Sequence, residues 1–317
     1  MLTITRRALT AGIFALTSLA ALPTHAETVD ELKIGYQKTG LLVIARQQGL
    51  IEKALEGKGI KVSWVEFTAG PPVVEALNVG SIQLGWTGDA PPIFGQSAGS
   101  AITYVAALPS NGQGEAIVVK DGSAIKTVAD LKGKKVGFGK GTSANNLVVA
   151  ALEKNGLSFA DITPVYLTPA DGAAAFASDK IDAFAVWDPF LAIAESRQKT
   201  RALARTGDVL QSQTFILGNS AFAKAHPDVV QAALKALDQA AQWAAANRGD
   251  VAKALHDVTG VPLAVQTVAA DRSEFKVVPI DDAIIDTQQQ TADRFFRIGL
   301  IPKKITVRDA VWTAPKS

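Results

Sequence analysis

Gly80-Ser-Ile-Gln-Leu-Gly-Trp-Thr-Gly-Asp89-Ala-Pro-Pro can be laid on Asp179-Lys-Ile-Asp-Ala-Phe-Ala-Val-Trp-Asp188-Pro-Phe. Ile82 then falls on Ile181, Gln83 on Asp182 and Asp89 on Asp188. Each block follows a short helical stretch, runs through residues of strand character and ends in Asp with Pro close behind. The echo implies two similar α/β lobes, each presenting a strand–loop–helix corner. In open α/β sheets ligands sit outside the carboxyl ends of the strands. Two such lobes facing one another make a cleft.

The flanking sequence keeps the same rhythm. Leu32 to Tyr36 reads as a strand, Leu41 to Gln48 as a helix closed by Gly49, and Val62 to Phe67 as a strand. Pro72 to Val79 is helical, and Ile82 to Trp86, Ile102 to Leu108 and Glu115 to Lys120 are strands. Lys135 to Phe138, Val165 to Leu167 and Ala183 to Trp187 are further strands, separated by helices at Ala144 to Asn155 and Gly172 to Ser178. Alternating strands and helices imply βαβ units and parallel sheets. After Phe215 to Leu217 the pattern turns helical, with a long helix over Asp228 to Asn247.

At the amino end, Arg6 and Arg7 precede an apolar run from Ala8 to Leu22, then Pro23-Thr-His-Ala26. A charged start, an apolar centre and small residues at a cut after Ala26 describe a secretory signal peptide over residues 1–26. The run is shorter than the roughly 20 residues a membrane span requires. The processed chain is therefore expected to be periplasmic and not membrane-anchored. The pair Arg6-Arg7 also allows a twin-arginine leader. Those two cations account for the whole formal charge of +2; residues 27–317 carry 30 of each sign. No basic cluster with interleaved aromatics occurs, so no nucleic-acid partner is expected. The chain has no cysteine, which excludes disulfides, thiolate metal sites and cysteine nucleophiles. Beyond the leader only His226 and His256 remain, so neither a metal nor a histidine-based catalytic site is expected.

Lys135-Val-Gly-Phe-Gly-Lys-Gly-Thr-Ser-Ala-Asn-Asn146 reads as strand, glycine turn and helix start. Its spacing fits neither nucleotide-binding glycine motif. Thr142 or Ser143 is placed to cap the helix, whose first N–H groups attract an anion. Asp188-Pro189 and Asp89-Ala-Pro-Pro resemble helix N-caps with proline in the first turn. On the functional reading, Thr87, Gly88 and Asp89 wall one side of the cleft and Trp187 and Asp188 the other. Trp86 and Trp187 would add apolar faces. Gln37, Lys38 and the Thr68-Ala-Gly70-Pro loop also lie at strand ends. The two aspartates could be read as an acid/base pair, but no nucleophile or metal set accompanies them.

The blocks Ile34-Gly-Tyr-Gln-Lys, Glu66-Phe-Thr-Ala-Gly-Pro, Thr87-Gly-Asp-Ala-Pro-Pro, Val128-Ala-Asp-Leu-Lys-Gly-Lys-Lys-Val, Pro164-Val-Tyr-Leu-Thr-Pro-Ala-Asp and Val186-Trp-Asp-Pro-Phe occur in one order. Together they resemble the aliphatic-sulfonate-binding proteins of ABC importers, a group that includes nitrate, taurine and thiamine-precursor binders. The resemblance implies a two-lobed periplasmic binding fold of type II. Lobe I would comprise residues 27–114 and 219–317, and lobe II residues 115–218. It implies a small anionic ligand, an alkanesulfonate, held by Gln37, Gly70, Thr87, Gly88, Asp89, Thr142, Ser143, Trp187 and Asp188. The implied partners are an ABC permease and its ATPase, with no cofactor. Taurine or nitrate would be alternative ligands, an enzyme on the same scaffold or an exported sensor subunit alternative roles. One departure stands out: relatives often carry an arginine in the helix after Pro-Ala-Asp, where this chain has Asp171-Gly-Ala-Ala-Ala-Phe. The headgroup would then be held by uncharged amide and hydroxyl donors.

Overall fold

The computed structural model describes residues 29–314, so the leader expected over 1–26 lies outside the described residues. The chain opens with β1 (Glu31–Tyr36), α1 (Leu41–Gln48), α2 (Leu50–Glu56), β2 (Lys61–Glu66), α3 (Gly70–Asn78), β3 (Leu84–Thr87), α4 (Ala90–Ala98) and β4 (Ile102–Pro109). It then crosses to β5 (Glu115–Lys120), β6 (Lys135–Phe138), α5 (Ser143–Lys154), β7 (Thr163–Tyr166), α6 (Pro169–Ala177), β8 (Ala183–Trp187), α7 (Phe190–Arg197), β9 (Thr200–Arg205) and α8 (Thr206–Val209). It returns through β10 (Gln213–Asn219), α9 (Ser220–Ala225), α10 (Pro227–Ala246), α11 (Arg248–Thr259), α12 (Leu263–Asp271) and α13 (Asp282–Arg297). Among the described residues no helix is long and apolar enough to cross a membrane.

Two five-stranded sheets result, in the orders β2-β1-β3-β10-β4 and β7-β6-β8-β5-β9. In each, a central strand pairs in parallel with two neighbours: β1 with β2 and β3, β6 with β7 and β8. In each, one strand supplied after a lobe crossing runs antiparallel to its neighbours, β10 in the first sheet and β5 in the second. The second crossing therefore falls at 210–212, ahead of the expected boundary at 218. Gln213 to Asn219 belongs to the first lobe because it completes the ladder between β3 and β4. Helices cover both faces of both sheets, which is why β4 and β5 are buried almost throughout. Alternate residues serve opposite cores: Phe215 and Leu217 pack on one side of β10 and Ile216 on the other. Along α10, Val229, Val230, Ala233, Ala236, Leu237, Ala240, Ala241 and Ala244 form one buried stripe of mostly small residues.

The sequence echo is a structural repeat. Gln83 exchanges two hydrogen bonds with the Lys33 backbone: its N–H donates to Lys33 O at 2.9 Å and its Oε1 accepts from Lys33 N at 2.9 Å. Asp182 does the same with Lys135, at 2.8 and 2.7 Å. Ile82 and Ile181 then lie over glycines of the neighbouring strand. A Cβ at Gly35 would sit 2.6 Å from Ile82 Cδ1, and one at Gly137 would sit 2.4 Å from Ile181 Cδ1. The same polar clamp and the same knob on a glycine therefore bring β3 and β8 to the cleft in one geometry.

The first crossing touches α8, just ahead of the second crossing. Gly207 N donates to Gly112 O at 3.3 Å, Gly112 has φ +70°, and a Cβ there would lie 2.1 Å from Gly207 N. A side chain meets both a disfavoured backbone conformation and another backbone, so nothing soft can yield. Gly112→Ala is expected to lower unfolding stability by about 2 kcal/mol or more, measured by urea titration. Gly122, which has open space around it, should accept alanine with little change.

Candidate functional site

Between the carboxyl ends of the two sheets lies a hollow of about 140 Å³. It is walled by Gln37, Gly70 and Gly88 from the first lobe and Thr142, Ser143, Trp187 and Asp188 from the second. The glycine turn before α5 and the Trp187–Asp188 corner thus share one crevice. Gly70 and Gly88 are there because larger residues would not fit. A Cβ at Gly70 would lie 2.5 Å from Pro91 Cγ, and one at Gly88 would lie 2.8 Å from Ser143 Cβ, across the lobe boundary.

Thr87 and Asp89 do not line the hollow, contrary to expectation. Thr87 is fully buried and its hydroxyl donates to Gly88 O at 2.8 Å. Asp89 turns behind the wall, where its Oδ2 accepts from Asn146 Nδ2 at 2.6 Å and from Ser212 Oγ at 3.3 Å. Its backbone carbonyl accepts from Gln288 Nε2 at 2.6 Å. Asn146 belongs to α5, so this contact ties the lobes together. Arg294 extends the tie, donating to Asn146 Oδ1 at 3.1 Å and to Glu153 at 3.0 Å.

The expected hydroxyl cap on α5 is also absent. Thr142 stands at the N-cap, but its Oγ1 donates back to Gly139 O at 2.7 Å. Ser143 Oγ donates instead to Glu115 Oε1 at 2.6 Å. The first turn of α5 therefore has no side-chain acceptor and opens on the crevice. By contrast Asp188, one residue ahead of the Pro189 N-cap, does serve the first turn of α7, accepting from Ala192 N at 3.0 Å. Gln37 is held by its donation to Trp86 O at 3.1 Å, and Trp86 Nε1 donates to Thr214 Oγ1 at 2.9 Å. Trp187 stacks edge-on against Phe190. The two indoles thereby give the hollow its apolar surface.

Arg272, Glu115, Thr206 and Ser212 also line the crevice, and none was read from sequence. Arg272 follows α12 of the first lobe and reaches across to the second. Its Nη2 meets Glu195 at 2.6 Å and its Nη1 lies 3.5 Å from Asp188 Oδ1. Nη1 is buried and makes no hydrogen bond, so one guanidinium edge keeps donors to spare. The crevice wall therefore carries a cation beside its uncharged donors. That cation comes from the first lobe, whereas the stretch after Asp171 belongs to the second. No local motif announces Arg272; for Glu115 the only hint was its place next to the first crossing.

Three carboxyls crowd this region. Burial pushes Asp89 up to about 6, against hydrogen bonds from Asn146, Ala90 and Ser212. Burial pushes Glu115 up to about 7, aided by the Asp89 charge and opposed by the Ser143 and Thr206 hydroxyls. Asp188 rises to about 6, because burial outweighs the attraction of Arg272. Asp89 is turned away from the crevice, so the pair Asp89–Asp188 is not arranged as an acid and a base around one bound molecule. Among the described residues no group of three His, Cys, Asp or Glu could hold a metal.

Comparison with known proteins agrees with this fold. A curated relative of Escherichia coli K12, named for binding aliphatic sulfonates, is 41% identical over 304 residues, 95% of either chain. The alkanesulfonate-binding protein SsuA from Xanthomonas axonopodis pv. citri, solved bound to MOPS, superposes with a TM-score of 0.83 at 42% identity. That match covers 89% of this chain and 98% of the other. The periplasmic SsuA crystal structure from Escherichia coli also gives 0.83, at 41% identity over 91% and 94% of the two chains. The family described as NMT1/THI5 like matches residues 39–249. The chain is thus a member of the NMT1/THI5-like family, with the two-lobed α/β fold of the SsuA binding proteins.

Proposed function

We propose that this protein captures aliphatic sulfonates in the periplasm and presents them to the permease of an ABC importer, whose ATPase drives uptake. One observation carries the reading: the open start of α5 and the spare edge of Arg272 converge on a crevice faced by Trp86 and Trp187. A sulfonate is a permanent monoanion with three acceptor oxygens on an apolar tail. Its headgroup suits amide and guanidinium donors, and its tail suits indole faces. A buried charge is tolerated only when its oxygens find donors, so both sets are required. MOPS, found in the Xanthomonas protein, is itself an alkanesulfonate. The expected periplasmic address rests on the leader at 1–26 and on the periplasmic relatives. Seven of the carried-over residues, Gln37, Gly70, Gly88, Thr142, Ser143, Trp187 and Asp188, would contact ligand directly. Thr87 and Asp89 would support the wall from behind.

Titration calorimetry with alkanesulfonates of increasing chain length, taurine, sulfate and nitrate tests this. One-to-one binding of alkanesulfonates is expected; a folded protein that binds none of them overturns the proposal. Trp187→Ala should cost affinity in proportion to the tail, up to about 0.8 kcal/mol per methylene no longer covered. Equal losses at every chain length would remove Trp187 from the tail pocket. Arg272→Gln should weaken every sulfonate alike, by about 1.5–3 kcal/mol, the range for hydrogen bonds to a charged group. An undiminished affinity in this variant would exclude Arg272 from headgroup binding.

A further inference from the structure

Of the carboxyls on the crevice wall, Asp188 faces Arg272 and the start of α7, whereas Glu115 is held by two hydroxyls of the same wall and opposes an anion. Its Oε1 accepts from Ser143 Oγ at 2.6 Å and its Oε2 from Thr206 Oγ1 at 2.7 Å. Both partners line the same hollow. A hydroxyl carries a single hydrogen. While Glu115 is ionised, both hydrogens are committed to it, and both hydroxyls offer only lone pairs to the crevice. An arriving sulfonate, which can only accept, would meet two acceptors backed by a negative charge.

A proton on Glu115 reverses this for one of the two hydroxyls. The carboxyl then donates to one hydroxyl oxygen, and that hydroxyl releases its own hydrogen toward the ligand. The negative charge disappears at the same time. The proton must come from water or buffer, because a sulfonate is fully ionised and has none to give. We infer that Glu115 is a proton-accepting residue of the ligand site, and that the protein takes up a proton with each anion it binds. The inference rests on the sulfonate reading given above and adds a co-ligand to it.

The surrounding charges favour this assignment. Asp89 lies behind the wall at the start of α4, and Asp188 follows β8, with its Oδ2 3.4 Å from where a Gly114 Cβ would be. Arg205, opposite Ala116 on β9, is directed to Gln113 O at 2.6 Å and to Glu195 at 3.4 Å. Asp208 of α8 accepts from Arg205 N at 3.1 Å. From the first lobe, Arg272 is engaged by Glu195 and Asp188, and Glu274 lies on the crevice wall. Arg205 is thus occupied elsewhere, Arg272 is paired with Glu195 and Asp188 and not with Glu115, and carboxylates outnumber the cations. Among the described crevice residues there is no histidine to take the proton instead. With the carboxyl already pushed up to about 7, exchange falls in the neutral range. An anion favours the protonated form, so affinity is constant in acid and falls as pH rises through that value.

The test is calorimetry of the whole protein with ethanesulfonate at about pH 8 in phosphate and in Tris, which are free of sulfonate groups and differ in ionisation enthalpy. The wild type should take up close to one proton per ligand and lose affinity by about tenfold per pH unit above neutrality. Glu115→Gln, whose amide always donates to one hydroxyl, should bind with no proton uptake and no loss between neutral and alkaline pH. Wild-type binding without uptake, or undiminished uptake in Glu115→Gln, overturns the inference. Absence of ethanesulfonate binding even at about pH 6 would instead overturn the sulfonate reading. Should the variant fail to fold, infrared difference spectra of the wild type decide. Ligand at about pH 8 should raise a protonated-carboxyl carbonyl band, and its absence overturns the inference.

Discussion

Charge removed from water must be matched by donors, and the interlobe crevice is organised around that requirement. An anion between the lobes loses its hydration and can keep its charge only where N–H and O–H groups replace the lost water. On the proposed function, the uncapped first turn of α5 and the unbonded edge of Arg272 would meet this need. The same rule acts on the protein's own carboxyls. Asp89 and Asp188 are each given a specific donor, Asn146 for one and the start of α7 for the other. Glu115 has two hydroxyl donors and no cation, which leaves it the carboxyl most dependent on a proton.

The contacts that hold the lobes together are the ones that build the crevice. Asn146 joins α5 to Asp89, Arg272 joins the first lobe to Glu195, and Gly88 lets the lobes approach at Ser143. Ala192 and Ile193 of α7 pack on Val261 and Val265 of the first lobe. Ligand bound among these groups would strengthen the closed arrangement, since it would contact both lobes at once. A permease that reads this arrangement would distinguish loaded from empty protein.

Much of the fold was legible because its signals are local. The period-two runs, the glycine and proline punctuation and the echo of Gly80–Asp89 in Asp179–Asp188 each lie within a few residues. The echo was informative because Gln83 and Asp182, and Ile82 and Ile181, do the same work in the two lobes. The return point was misjudged because β10 has ordinary strand character, which cannot reveal the sheet that will accept it. In the site, Gly70, Gly88 and Trp187, each at a strand end, stand on the crevice wall. Thr87 and Asp89 were misplaced because a residue at a strand end can turn toward the ligand or behind the wall.

From sequence alone followed the two α/β halves, the corners that face each other, the absence of thiol chemistry and the expected export leader. These depend on residue type and near-neighbour spacing. Only the tertiary structure decided that Arg272 stands on the crevice wall, that Ser143 reaches Glu115 rather than capping α5, and that Asp89 serves the lobe contact. Those pairings join residues far apart in the chain. They are selected by which side chains burial brings together and which donors are left to satisfy them, and local spacing carries no record of that.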